Sequence, residues 1–111
     1  MFGWRITRVD GNSMSPSLGN GDYVVSRRSA AEPGDIILFE HNGAGRMIKR
    51  VVARNDIGQY IVRGENILSS TSDSIGPVKP ENILGTVRWR ISPAGLNRVA
   101  SQQTPSSSDT L

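Results

Sequence analysis

The sequence predicts an all-β domain with mainly antiparallel strands. Short runs rich in β-branched residues alternate with Gly, Pro and Asn as far as about Ile91. No stretch keeps a helical repeat of apolar residues over three turns. An Asn-Gly pair at residues 42–43 supplies the positive φ angles of a tight hairpin, so the flanking runs should pair antiparallel. The candidate strands are Trp4–Val9, Asp22–Arg27, Asp35–Glu40, Met47–Arg54, Gln59–Arg63 and Leu84–Ile91.

The length of 111 residues allows one domain, which we expect at residues 1–92, followed by a tail at residues 93–111. Beyond Pro93 the composition changes to Ser, Thr, Gln and Pro. Residues 100–111 carry too few large apolar side chains to offset the entropy lost on ordering, so we expect a disordered tail. Gly21-Asp22 and Gly34-Asp35 each precede an apolar strand, which indicates one kind of turn used twice.

Composition excludes several classes of protein. The chain has no cysteine and one histidine, which rules out disulfides, thiolate nucleophiles and zinc-thiolate sites. Its 13 Lys and Arg residues, against 10 Asp and Glu residues, are spread along the sequence and indicate neither a nucleic-acid nor an acidic-lipid partner. The longest apolar run, Ile36–Phe39, is far too short to cross a bilayer. We expect a protein without a transmembrane anchor, cytoplasmic or peripheral to the membrane, with no metal and no cofactor.

Few bases in this sequence could activate a serine nucleophile. The only histidine, His41, falls in the predicted hairpin turn, where we expect a solvated loop side chain rather than a member of a triad. The carboxylates form no spaced cluster of the kind that a calcium loop needs. A Ser-Lys pair remains as the candidate catalytic arrangement.

Ser13 is the candidate nucleophile of that pair. It lies in a turn-forming segment in which Gly11 allows close approach of a substrate and Pro16 stiffens the exit. A serine in such a turn can present its hydroxyl and direct its own N–H at a developing oxyanion. On composition alone, the same segment also fits an ordinary surface loop.

Lys49 is the candidate base. Every second residue of a strand shares a face, which groups Lys49 with Met47, Val51 and Ala53. An ammonium group on an apolar face loses hydration, which lowers its pKa and favours the neutral amine that a general base must be. Deprotonating an ordinary lysine at pH 7 costs about 4.6 kcal/mol, and lowering its pKa by about 2 to 3 units removes most of that cost. The alternative from periodicity is a lysine that extends from an edge strand to water.

Several segments, taken in order, resemble the boxes of the signal peptidase I family of Ser/Lys proteases. The resemblance covers residues 9–90 and implies a partly open β-barrel, a fold shared with LexA-type proteases. Several ordered boxes are more specific than any single motif. The segments are Gly11–Leu18 for the nucleophile box, Gly21–Val25, Pro33–Phe39, Ile48–Val52 for the Lys-Arg-Val box, Gly64–Asn66, Ser72–Val78 and Ile83–Val87.

The resemblance implies Ser13 as the acylating nucleophile, Lys49 as the base and the Ser13 N–H as part of the oxyanion hole. Some members complete the hole with a serine two residues before the nucleophile. This chain has Gly11 there, so Asn12 or a second backbone N–H would serve.

A hydroxyl just before the Asp-Ser box orients the lysine in the family. The candidates here are Ser70, Thr71 and Ser72, beside Asp73. Two positions depart from the pattern. Glu65 replaces an Asp, and Ile75 replaces the Arg that would pair with Asp73, which leaves Arg50 and Arg63 as alternative partners.

The predicted function is a serine endopeptidase that removes a short N-terminal extension from a precursor protein. We expect an extended peptide substrate, cleaved after a small residue and bound in apolar pockets. A short chain of this kind most resembles the maturation proteases of nickel-type superoxide dismutases. The expected pocket lining is Met14, Phe39, Met47 and Val51.

Two other functions stay open. LexA-type regulatory proteases share the Ser/Lys mechanism, but they carry a DNA-binding domain and a cleavage site before the protease, and only 12 residues precede Ser13. An alternative from another class is a catalytically silent β-barrel interaction module, whose basic surface would bind an acidic partner.

Overall fold

The computed structural model describes residues 3–11, 14–41, 45–65, 75–99 and 101. Within these ranges it contains seven β-strands, a 3₁₀-helix at Pro80–Asn82 and no α-helix, so the all-β prediction is confirmed. Each candidate strand is present. The strands are β1 (Trp4–Arg8), β2 (Tyr23–Arg27), β3 (Ile36–His41), β4 (Gly45–Arg54), β5 (Tyr60–Arg63), β6 (Ile83–Ser92) and β7 (Gly95–Arg98).

The strands form one antiparallel sheet in the order β1-β2-β6-β3-β4-β5. Strand β6 pairs with β2 along one side, and on the other side with β3 through its first half and with β7 through its second half. Gly85 of β6 is required by this crowding, because a Cβ there would lie 2.9 Å from the Oγ of Ser26. Among the described strands β1 and β5 do not pair, so the sheet curls but stays open.

The β3–β4 hairpin is present, with His41 opposite Gly45. The Asn42-Gly43 turn itself lies outside the described residues. The expectation that His41 is a solvated loop side chain was wrong, because strand pairing continues to this residue and leaves it half-buried.

The two Gly-Asp turns share one hydrogen-bond pattern, as the sequence predicted. Asp22 accepts from the N–H of Gly19 at 2.8 Å, and Asp35 accepts from the N–H of Glu32 at 2.9 Å. Each Asp also returns its own N–H to the carbonyl of the same partner, at 3.0 Å in both turns. The same local hydrogen bonds therefore fix how the chain enters β2 after Gly21-Asp22 and β3 after Gly34-Asp35.

The buried side chains form two hydrophobic clusters on the two faces of β3. Ile37 and Phe39 belong to one cluster and Ile36 to the other, as expected from strand alternation. The first cluster consists of Ala31, Ile37, Phe39, Val51, Tyr60, Val62 and Val78, and the second of Val9, Met14, Leu18, Val24, Ile36 and Val87.

Strand β7 was not predicted, and it lies within residues 93–111, which the sequence analysis assigned to the tail. The residues of β7 are exposed, so backbone pairing with β6, and not a buried apolar face, holds this strand in the sheet. Val99 follows and packs against the second cluster. Residues 100 and 102–111 lie outside the described part of the chain. No helix in the described ranges is long and apolar enough to cross a membrane.

Candidate active site

The segment that carries the candidate nucleophile leaves β1 and returns to β2. Its base is closed by two backbone hydrogen bonds, from Val9 to Asp22 at 2.7 Å and from Gly21 to Val9 at 2.8 Å. A turn follows in which the N–H of Leu18 donates to the carbonyl of Met14 at 2.8 Å. Met14 and Leu18 are buried, so the second half of the segment is anchored in the core. Ser13 and Asn12 lie outside the described residues.

Gly11 has a specific backbone role in this segment. Its φ of 90° lies in the left-handed region that favours glycine. Its N–H donates to the side-chain oxygen of Asn20 at 2.8 Å. This N–H is therefore already engaged in the structure, and an oxyanion would need other donors.

Lys49 lies in the middle of β4, opposite Ile37 of β3. Only 5% of its surface is exposed, so it does not extend into water as the alternative from periodicity required. Burial lowers the pKa of Lys49 below its ordinary value of 10.5, because the charged ammonium loses hydration. A lowered pKa raises the fraction of neutral amine near neutral pH, which is the form that can accept a proton.

A pocket of about 370 Å³ opens beside Lys49. One wall is formed by residues 7–10, at the end of β1 and just after it, and the opposite wall by residues 46–49 of β4. Strands β2, β6 and β3 separate β1 from β4 in the sheet, so this pocket exists because the sheet curls. Met14 and Leu38 complete the lining. The pocket therefore joins the candidate base to the segment on both sides of the candidate nucleophile.

Arg50, the next residue of β4, ties this region to three other segments. Its guanidinium donates to the carboxylate of Glu65, to the carbonyl of Gly34 at 2.6 Å and to the hydroxyl of Ser17 at 3.3 Å. Arg50 is buried, so these contacts replace the water that its charge would otherwise need. Ser17 lies four residues after Ser13, and the network therefore connects the nucleophile segment to the strand that carries Lys49.

The expected pocket residues fall into two groups. Met14 and Met47 line the pocket beside Lys49. Phe39 and Val51 belong to the first hydrophobic cluster and are almost completely buried. The expected supporting residues Ser70, Thr71, Ser72 and Asp73 lie outside the described residues, so their roles stay predictions.

The wall formed by residues 7–10 and the hydrogen bonds of Asn20 and Ser17 were not predicted from the sequence. Residues 7–10 directly precede the nucleophile box, and that adjacency was the available signal. Asn20 and Ser17 act through single hydrogen bonds between distant parts of a loop, which no sequence period reveals. Within the described ranges, no cluster of three metal-ligating side chains is present.

A family model described as Peptidase S24-like matches residues 4–69, which is more than half of the chain. The matched range contains the nucleophile segment, both walls of the pocket and strands β1 to β5. No curated protein gives a significant match. The family match supports the wider group of Ser/Lys proteases and does not single out signal peptidase I within it. The chain belongs to the Peptidase S24-like family.

Proposed function

We propose that this protein is a serine endopeptidase in which Ser13 is the nucleophile and Lys49 is the general base. The observation that carries the proposal is the burial of Lys49 beside a pocket, with its pKa lowered by that burial. Burying an ammonium group costs free energy, so a lysine with no task in the pocket would be more stable in contact with water. The match to the Peptidase S24-like family supports the same chemistry.

The proposed reaction has two halves. The Oγ of Ser13 bonds to the substrate carbonyl carbon while its proton passes to the neutral Nζ of Lys49. The resulting ammonium gives that proton to the leaving amine as the peptide bond breaks. Water then bonds to the acyl carbon while Lys49 takes one of its protons. The ester bond to the Oγ of Ser13 breaks, and the Lys49 ammonium returns the proton to that Oγ as the acid product leaves.

The substrate that fits this pocket is an extended peptide. Strand β5 pairs with β4 only from Arg50 onward, and β1 pairs only with β2. In the described part of the chain, two backbone edges therefore have no second strand beside them. They are residues 45–49 of β4 and the edge of β1 that faces away from β2. Both edges border the pocket, and an extended peptide between them could bond to backbone groups on either side.

Within this reaction class we propose the removal of a short extension from a precursor protein. The resemblance to signal peptidase I and to nickel-type superoxide dismutase maturation proteases motivates that substrate. Regulatory cleavage of the LexA type fits the family match equally well. The two differ in whether the scissile segment belongs to another protein or to the same chain, so cleavage of an added peptide distinguishes them.

The test compares four proteins: the wild type, Ser13→Ala, Lys49→Ala and His41→Ala. We expect the first two substitutions to abolish cleavage of a precursor peptide and the His41 substitution to leave it nearly unchanged. A serine-acylating β-lactam-type inhibitor should add its mass to the wild type but not to Ser13→Ala. Thermal melts establish that each variant is folded. Cleavage by Lys49→Ala would overturn the dyad, and the absence of both cleavage and acylation in the folded wild type would favour a silent interaction module.

A further inference from the structure

We propose that the outer face of strands β1, β2, β6 and β7 docks on an anionic membrane surface. This inference is independent of the proposed peptidase activity. The outer face is defined by strand register, which aligns Ile6 with Val25 and Trp89, and Arg8 with Tyr23 and Ile91. Its members are Trp4, Ile6, Arg8, Tyr23, Val25, Arg27, Trp89, Ile91, Leu96 and Arg98.

The opposite face of the same strands supplies the core. Val24, Ser26 and Val87 are buried there, which fixes the outer face as the one that solvent reaches. Sheets with one solvated face normally place polar residues on it. This face instead exposes large apolar side chains, with Ile6 65% and Leu96 61% exposed, and Trp4, Tyr23 and Ile91 exposed to a smaller extent. A cluster of exposed apolar side chains on a small domain marks a surface that contacts another protein or a membrane.

The charge of these strands selects the kind of surface. Three of the ten outer-face residues are arginines, Arg8, Arg27 and Arg98, and none is acidic. Arg8 also lies 3.3 Å from the carboxylate of Asp10, which leaves Arg27 and Arg98 as the outer-face arginines with no ion pair in the described part of the chain. These three arginines are far apart in the sequence, and strand pairing brings them onto one face. Arginines beside exposed apolar side chains match anionic headgroups above an acyl layer.

A pocket of about 400 Å³ on this face has the composition of a headgroup site. Trp4 and Trp89 both line it. The guanidinium of Arg27 lies 5.5 Å from the centre of the Trp4 ring. Indole rings prefer the membrane–water interface, and one guanidinium group can donate two parallel hydrogen bonds to the oxygens of a phosphate. The four arginines that line the pocket are Arg27, Arg28, Arg88 and Arg98.

The most exposed apolar residues favour a membrane over a nucleic acid. Ile6 and Leu96 are aliphatic, so they cannot stack on bases, whereas they can enter the boundary between headgroups and acyl chains. Arg8 belongs both to the outer face and to the wall of the Lys49 pocket. Docking would therefore hold that pocket next to the membrane surface.

The chain provides its own probe for docking. Its two tryptophans, Trp4 and Trp89, both lie on the outer face. We expect sedimentation with vesicles of phosphatidylcholine and phosphatidylglycerol in equal amounts, together with a blue shift of tryptophan emission. Vesicles of phosphatidylcholine alone should bind much more weakly, because each arginine near an anionic surface contributes about fivefold in affinity.

Two pairs of substitutions separate the charged and apolar contributions. Arg27→Gln with Arg98→Gln should weaken binding to the mixed vesicles on the order of twentyfold. Ile6→Ser with Leu96→Ser should weaken it about tenfold or more and abolish the blue shift. Ile57→Ser is the matched control, because Ile57 is 76% exposed in the turn between β4 and β5, away from these strands. It should bind like the wild type.

Four results would overturn the proposal. These are failure of the wild type to sediment with the mixed vesicles, retention of full binding by the Ile6 and Leu96 double variant, and loss of binding in the Ile57 control. The fourth is a protein that does not bind the vesicles but whose tryptophan emission shifts to the blue when single-stranded oligonucleotide is added, or when the protein concentration rises in the absence of vesicles. Those outcomes would assign the face to a nucleic acid or to a second copy of the chain.

Discussion

The guanidinium of Arg50 donates to the carboxylate of Glu65 from the strand position immediately after Lys49. The Arg50 side chain is 9% exposed, and it also holds the carbonyl of Gly34 and the hydroxyl of Ser17. Glu65 stands where the signal peptidase I pattern has an Asp, and it keeps the carboxylate that this buried cation needs. One ion pair thus joins β4 to the segment after β5, next to the candidate base.

Glu65→Gln should destabilise the fold by about 2 to 3 kcal/mol, because it leaves the buried charge of Arg50 without its anionic partner. Glu40→Gln is the control, since Glu40 pairs with Arg46 at 4.0 Å on the exposed part of the sheet. Such surface pairs contribute at most about 1 kcal/mol. Urea unfolding measures both changes. Equal losses in the two variants would contradict a structural role for the Arg50–Glu65 pair.

Lys49→Met should stabilise the fold at neutral pH. Burial lowers the pKa of Lys49 below its ordinary 10.5, so the unfolded chain holds this proton more tightly than the folded chain does. Below the lowered pKa both states are charged, and the folded state carries the full cost of the buried ammonium. As the pH rises through that pKa towards 10.5, the folded state loses its proton first, and the stability of the wild type rises.

The advantage of Lys49→Met over the wild type should therefore be largest below the lowered pKa of Lys49 and shrink as the pH rises through that pKa towards 10.5. Urea unfolding of both proteins across a pH series measures the difference, in which the other titrating groups cancel. An advantage that stays constant across the series would show that Lys49 does not titrate differently in the folded and unfolded states.

The strands could be predicted from sequence because their signals are local. The short apolar run Ile36–Phe39 and the run rich in β-branched residues at Met47–Arg54, with turn residues between them, are enough to locate β3 and β4. Strand β7 carries the sequence Gly-Leu-Asn-Arg, which has one apolar residue, and it forms because β6 offers an edge beyond the end of β3. That edge is a property of the assembled sheet and has no local sequence signal.

The candidate site also has features that the sequence could predict and features that only the tertiary fold creates. The placement of Lys49 on an apolar face could be predicted from strand alternation, and the structure buries it. Its role as the base stays a prediction. Phe39 and Val51 share its face and were expected beside the substrate, yet they pack in the first hydrophobic cluster. The wall at residues 7–10 comes from the end of β1, which three strands separate from β4 in the sheet, so only the tertiary fold brings it to the pocket beside Lys49.

The pH dependence of cleavage should follow the protonation of Lys49. Only the neutral amine can take the proton of Ser13, so kcat/KM should rise with pH through the lowered pKa of Lys49 and level off above it. The midpoint should lie below 10.5. His41→Ala serves as the control and should leave the midpoint unchanged. A profile that is flat from acidic to alkaline pH would argue against a lysine base.

Two truncations test where the folded unit ends. Removing residues 100–111 should leave the melting temperature and activity unchanged, since that sequence offers little apolar surface to bury. Removing residues 93–111 should lower the melting temperature, because it also deletes the β7 pairing and Val99, whose N–H donates to Arg88 at 2.8 Å. Equal melting temperatures for the two truncations would mean that β7 adds nothing to stability.

The substrate should be an extended peptide cleaved after a small residue. Met14 and Met47 line the pocket beside Lys49, and a large residue at the cut would hold the pocket open to water, which would raise the pKa of the lysine back towards its ordinary value. Digestion of a peptide library, read by mass spectrometry, should therefore yield cuts after residues such as Ala, Gly and Ser.

Met47→Ala should broaden this preference, because it removes a half-buried side chain from the pocket wall and leaves the buried Met14 in the core. One methylene in such a pocket is worth about 1 to 3 kcal/mol, so cleavage after Val or Leu should rise by about tenfold or more relative to cleavage after Ala. Ile57→Ala, a change on the distant β4–β5 turn, is the control and should keep the wild-type preference. Preferred cutting after Lys, Arg or Phe by the wild type would refute the pocket argument even if Ser13 and Lys49 proved essential.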